Sequence, residues 1–272
     1  MLKGLFLGDD MNNPFKTRLA EPKMIAAAWS ELGSPDTAEI MVRHGWDVIV
    51  IDGEHGRGGL EDWVHVSRAV EAAGGTVVLR LPEGSDTVIK QALDRGFRNF
   101  IVPMVNSAEE ARRIVSAFHY PSRGHRGYAA PIVRGSNWGA TPNYARENAS
   151  EEVVIMVQCE HVDAVADLEQ IAAIDGVDAI FIGPNDLAAS AGYLERMDDP
   201  AFLPVLDQVE TIAKKHGKPL ATVRGPGRDW DELERRGFRL VAGINDVSLI
   251  IDGARAELEK LTGQSAGAAG RY

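Results

Sequence analysis

Cysteine is nearly missing: Cys159 is the only one in 272 residues. An intrachain disulfide is therefore impossible, and a reducing cytoplasm is the expected setting. Basic residues are in deficit, 29 Lys and Arg against 40 Asp and Glu, for a formal net charge of −11. That balance argues against nucleic acid as a main partner, since phosphate binding needs a basic surface. It leaves anionic small molecules open, because one arginine in a pocket acts locally. No apolar run approaches the roughly 18 residues of a membrane span. The opening MLKGLFLGDD lacks the long apolar segment and small-residue cleavage site of a secretory leader. It reads as an extension, with the start at Met1 or Met11. A GxGxxG fingerprint and a P-loop are also missing, which weakens a doubly wound dinucleotide or nucleotide fold.

What is present is a repeated pattern. Apolar, β-branched runs recur at 24–29, 47–52, 76–81, 99–105, 153–158, 178–183, 219–224 and 240–244. They are continuous rather than alternating, as in a parallel sheet covered on both faces. Between them lie helical patterns at 34–45, 60–75, 85–96, 107–118, 161–174 and 202–217, several opened by Ser or Asp and closed by Gly. With 44% hydrophobic residues the chain can bury a large core. Eight alternating units in this length predict an α/β fold of the (β/α)8 TIM-barrel type in one domain. The expected layout is an N-terminal extension and first helix over 1–20, the barrel over 21–260 and a fraying tail over 261–272. Residues 119–150 carry little helical pattern but hold Arg123, Arg126, Tyr128, Arg134 and Trp138. Such a connection is expected to be an ordered lid or a subunit contact.

In such a barrel the C-terminal strand ends form the active face. Asp52, Glu54 and His55 follow the second run, Arg80 lies in the third, and Gln158 and Glu160 end the fifth. Asn185 and Asp186 end the sixth, Asn245 and Asp246 the eighth. Glu160 and Asp186 end neighbouring strands, where two close carboxylates repel unless a cation or proton sits between them. Oxygen ligands of this kind suit Mg²⁺ or Mn²⁺. The competing reading makes each acid the N-cap of the next helix. Arg80 either clamps a substrate carboxylate or pairs with Asp52 or Glu54. His55 is either a solvated loop residue or an acid/base group. Cys159 alternates away from Gln158 and Glu160 and reads as core. Runs two to six contain no lysine, which disfavours Schiff-base chemistry. The glycines after His55, in GRGG, suggest clearance for a substrate or loop mobility.

Taken together, IDGEHG (51–56), VLRLP (78–82), IKQALDRGFRNFIVPMV (89–105), YPSRGHRGY (120–128), VQCE (157–160) and GVDAIFIGPNDLAASAGY (176–193) resemble the HpcH/HpaI aldolase family of metal-dependent class II pyruvate aldolases. The likeness covers roughly residues 12 to 260. It implies a (β/α)8 barrel, a hexamer built as a trimer of dimers, and a last helix exchanged between subunits. It also implies a divalent cation (Mg²⁺, Mn²⁺ or Co²⁺) held by Glu160 and Asp186 and chelated by a 2-oxo acid. In this likeness Arg80 stabilises the enolate and Gln158 contacts the substrate. The backbone amides near Asn185 and Asp186 bind its carboxylate. His55 matches the acid/base histidine, and Asp94 an aspartate that a neighbouring subunit pairs with it. Asp52 and Glu54 match supporting acids. The chain departs from its relatives at Asn185, often Ala, at Cys159, often aliphatic, and in GRGG.

The implied activity is reversible cleavage of 4-hydroxy-2-oxo acids to pyruvate, or a related 2-oxo acid such as hydroxypyruvate, and an aldehyde. Two other readings stay open. One is an acyl-CoA lyase of the citrate lyase β or malyl-CoA type, although no clear basic segment for CoA is evident. The other is a binding protein that holds 2-oxo acids without turnover.

Overall fold

The computed structural model describes residues 13–263. The chain before Asn13, including both expected starts, and the tail from 264 lie outside the described residues. Every expected apolar run forms a strand: β1 (Ile25–Ser30), β2 (Val48–Asp52), β3 (Thr76–Arg80), β4 (Asn99–Val102), β5 (Val154–Cys159), β6 (Ala179–Ile182), β7 (Leu220–Val223) and β8 (Leu240–Asn245). They pair in parallel in sequence order and close into a barrel, β1 meeting β8 through a register shift between Ala27 and Ala28. The helices are α1 (Pro14–Ala20), α2 (Pro35–Arg43), α3 (Leu60–Ala72), α4 (Asp86–Asp94), α5 (Ala108–Phe118), α6 (Val162–Ala172), α7 (Pro184–Ser190), α8 (Leu203–Lys215), α9 (Trp230–Arg235) and α10 (Asp246–Thr262). Ser34, Ser85 and Ser107 cap α2, α4 and α5 by accepting a backbone N–H of the first turn.

Strand alternation sorts the core into two sets. Ile25, Ala27, Trp29, Val48, Val50, Val78, Val154, Met156, Ala179, Phe181, Ala221 and Ala242 pack inside the barrel. Ile49, Ile51, Leu79, Phe100, Ile155, Val157, Ile180 and Ile182 face the helices instead. Phe15 and Leu19 of α1 belong to the inner set. They close the end of the barrel opposite the C-terminal strand tips. Asn13 holds that plug, donating to the Asn99 side chain at 2.7 Å and to the Glu152 carbonyl at 2.6 Å.

Two segments depart from the regular plan. Residues 119–150 contain only short turns, at Ala130–Ile132, Arg134–Ser136 and Tyr144–Asn148, around a small cluster of Tyr120, Ala130, Tyr144 and Ala149. They connect the end of α5 to the start of β5, so they lie at the plugged end. The lid expected from sequence is thereby corrected: this segment cannot cover its own chain's catalytic mouth. Arg134 ties it to Glu71 of α3 at 2.6 Å and to the Arg95 carbonyl at 3.0 Å. The second departure is α10, in which Asp246 alone is buried. Its Leu249, Ile250, Ile251, Leu258 and Leu261 are exposed.

Candidate active site

The inward parity of each strand continues past its last residue, and polar groups take over where the apolar layers stop. The register of β2 and β3 sets Asp52 beside Arg80. Arg80 Nε donates to Asp52 Oδ1 at 2.8 Å and Nη2 to Oδ2 at 2.6 Å, a two-point fork. The third arm, Nη1, lies 3.1 Å from Glu54 Oε2. The guanidinium also stacks 4.6 Å from the Trp29 ring. The alternative left open by sequence resolves in favour of ion pairing. Burial opposes the charge on Asp52, but its bonds to Arg80 outweigh that and hold the carboxyl below the usual range.

Asp52 Oδ1 also accepts the backbone N–H of Glu54 at 3.0 Å and of His55 at 3.2 Å, which turns the chain sharply. A methyl on Gly56 would sit on the Asp52 carbonyl and 3.2 Å from that of Glu31. Gly58 adopts a φ of +93°, disfavoured for other residues. Gly56 therefore packs the loop closely onto the tips of β1 and β2, while Gly58 lies against Asp62 at the start of α3. His55 emerges from that turn with its side chain 66% exposed, Nε2 lying 3.9 Å from Glu54 Oε2. Burial raises the Glu54 carboxyl above its ordinary value.

On the other side, Glu160 follows β5. Its Oε1 accepts the Met104 backbone N–H at 2.6 Å, and its Oε2 accepts a short bond from Gln158 Nε2. Met104 presents that N–H from a left-handed φ of 53°. Among the described residues no Lys, Arg or His pairs with Glu160. Burial pushes its carboxyl up to about 7; the Met104 amide pulls the other way. Gln158 Oε1 is a buried acceptor without a donor. Asp186 lies in the first turn of α7, whose N-cap is Gly183. No side-chain bond to Asp186 is present among the described residues. His161, not Glu160, caps α6. The N-cap reading of both acids is thus corrected. Arg80, Gln158, Phe181, Gly183, Pro184, Asn185, Asp186 and Val223 line a cavity of about 60 Å³. Among the described residues no three His, Cys, Asp or Glu side chains form a cage. Two carboxylates and an amide oxygen instead suit a hard cation that keeps positions for water and substrate. The buried Glu160, without a basic side-chain partner among the described residues, and the donorless Gln158 oxygen fit that group.

Other residues named from sequence fall elsewhere. Asp94 ends α4, at the plugged end, and accepts from Arg126 Nη2 at 2.9 Å. The single chain does not bring it to His55. Asn245 caps α10, and Asp246 accepts the N–H groups of Glu31 and Leu32 at 2.9 and 3.2 Å, so both are structural. Cys159 faces the helices, as alternation predicts, with burial pushing its thiol up to about 12. Sequence reasoning missed Phe181 and Val223 as cavity walls and Trp29 as the ring against the Arg80 guanidinium. It also missed Glu31 at the tip of β1. The period-two count along each strand contains that signal.

Comparison with known proteins agrees with this geometry. The family model described as HpcH/HpaI aldolase/citrate lyase matches residues 26–253. A hydroxypyruvate/pyruvate aldolase of Agrobacterium fabrum is 44% identical over 72% of this chain and 73% of its own length. One from Cupriavidus necator is 39% identical over 90% of each chain. The crystal structure of an HpcH/HpaI aldolase/citrate lyase family protein from Burkholderia cenocepacia superposes with a TM-score of 0.86. It is 30% identical and covers 92% of this chain and 99% of that one. With its barrel, its acidic strand tips and these relatives, the chain belongs to the HpcH/HpaI aldolase/citrate lyase family.

Proposed function

We propose that this carbon–carbon lyase is a divalent-cation-dependent aldolase. It cleaves 4-hydroxy-2-oxo acids reversibly to an aldehyde and pyruvate or hydroxypyruvate. The observation that carries the reading is the buried Glu160 carboxylate with no basic partner, bonded to Gln158, which lines a small cavity together with Arg80 and Asp186. Glu160 and Asp186 would hold Mg²⁺, Mn²⁺ or Co²⁺, which when bound polarises the 2-oxo group as a Lewis acid. Hydroxypyruvate is included because both similar aldolases described above carry it in their names.

The chain's own groups supply the rest. Arg80, fixed at two points by Asp52 and lining the cavity, offsets the charge that the substrate oxygen gains on C–C cleavage. His55 exchanges a proton with the C4 hydroxyl, and Glu54 beside it orients the ring. Gln158 offers its amide to the substrate, and the first amides of α7, at Asn185 and Asp186, face the carboxylate. Asp94 serves the His55 of a neighbouring subunit. The apolar, exposed α10 supports a hexamer built as a trimer of dimers that exchange this helix.

Pyruvate release from a panel of 4-hydroxy-2-oxo acids, with EDTA and after Mg²⁺ is restored, tests the reading. Turnover should stop with EDTA and return with Mg²⁺, and Glu160→Ala should abolish it. Full metal-dependent turnover by that variant removes Glu160 from the metal site. Ligand binding without turnover across the panel means a binding protein instead.

A further inference from the structure

Glu31 directly follows β1, and parity carries it inward after Ile25, Ala27 and Trp29. The register that pairs Ser30 with Ile51 sets Glu31 beside Asp52, and the two carboxyl groups lie within hydrogen-bonding reach of each other. Two carboxyl groups can bond to each other only if one keeps its proton. The donors already on Asp52 decide which one. Arg80 Nε and Nη2 and the amides of Glu54 and His55 all favour its ionised form. The proton therefore sits on Glu31.

The surroundings of Glu31 agree. From β2 and its loop it faces Asp52, which is bonded to Glu54 and His55 through their amides. From β3 it faces Arg80, whose Nε and Nη2 are taken by Asp52. From the start of α10 it faces Asp246, which accepts the Glu31 amide at 2.9 Å. The Glu31 carbonyl accepts the Arg57 amide at 2.8 Å. Burial, Asp52 and Asp246 together push its carboxyl up to about 8, while Arg80 pulls less strongly the other way.

We propose that Glu31 is a positioning residue, a neutral carboxylic acid whose O–H donates to Asp52 and so keeps the Asp52–Arg80 fork aligned toward the substrate. It also spares an already acidic mouth one further negative charge, which favours entry of an anionic 2-oxo acid. Its catalytic consequence rests on the aldolase reading above; its protonation does not. When Glu31 ionises, the donor is lost and two adjacent carboxylates compete for Arg80.

The test uses Glu31→Gln, whose amide donates at any pH, and Glu31→Leu, which cannot donate. With Mg²⁺ present, kcat/KM of the unaltered protein should fall as pH rises through about 8, by up to about tenfold per further unit. Glu31→Leu should lose kcat at neutral pH. Glu31→Gln should recover most of that loss and lack the alkaline fall. Carboxyl-¹³C-glutamate NMR should show one resonance titrating near 8 that is missing from Glu31→Gln. An alkaline fall that persists in Glu31→Gln, or a Glu31 resonance already ionised at neutral pH, overturns the proposal. If none of the proteins cleaves any 2-oxo acid, the aldolase reading fails, and the NMR titration still decides where the proton resides.

Discussion

In the proposed site, Glu160 would make cation binding a competition with a proton, and the competition has a calculable size. Its carboxyl is pushed up to about 7 by burial, with no basic side chain to offset it. A cation must displace that proton, so the apparent dissociation constant scales as one plus the ratio of protonated to ionised Glu160. That factor is about 1.1 one pH unit above the midpoint and about 11 one unit below it. Mg²⁺ should thus bind roughly tenfold more weakly near pH 6 than near pH 8, about 1.4 kcal/mol. Calorimetric titration in buffers of different ionisation enthalpy reads both the affinity and the proton released, about one per cation at the lower pH and almost none at the higher. Glu160→Gln should bind weakly at both. Equal affinity at the two pH values, or unchanged binding by Glu160→Gln, refutes the reasoning. The stability sign follows too. The folded carboxyl keeps its proton more tightly than the unfolded one, so without a cation stability falls as pH rises from the ordinary carboxylate range to about 7, then levels.

A methyl group at Gly183 would lie 2.6 Å from Glu160 Oε2 and 3.0 Å from Gln158 Nε2. Gly183→Ala should therefore weaken Mg²⁺ binding in the same calorimetric assay while circular dichroism shows the barrel intact; unchanged affinity would mean that Glu160 is not the ligand. Arg80→Met leaves Asp52 buried and unpaired. It should cost about 3–5 kcal/mol in urea unfolding and lower kcat by about 10²–10³. A urea midpoint close to that of the unaltered protein would show that Asp52 does not depend on the fork.

The barrel was legible because a strand covered on both faces must be apolar throughout, and each such run, from Ile25–Ser30 to Leu240–Asn245, became a strand. The polar tips were legible for the complementary reason: charge stands out where apolar layering ends. Pairing was not legible, since spacing along the chain cannot distinguish an Arg80 that awaits a substrate from one that holds Asp52. Register between β2 and β3 decides that. Glu31 was missed because it follows the featureless AAAWS, and only parity from Trp29 shows that it turns inward. The segment 119–150 suggested a lid because its composition is that of a functional loop. Helix direction, rather than composition, assigns it to the plugged end.

The same segment divides the barrel at its midpoint, and the two halves carry unequal electrostatic accounts. β1 to β4 bring Glu31, Asp52 and Glu54 together with Arg80, so most of that charge is settled by side chains of the same half. β5 to β8 bring Glu160 and Asp186, for which neither half supplies a basic partner among the described residues. A divalent cation held there would neutralise the second half while facing the arginine fork of the first. Chains cleaved within 119–150 should therefore reassociate into an active barrel more readily with Mg²⁺ than with EDTA. A cation so held would be as much a closing bond of the ring as a reagent.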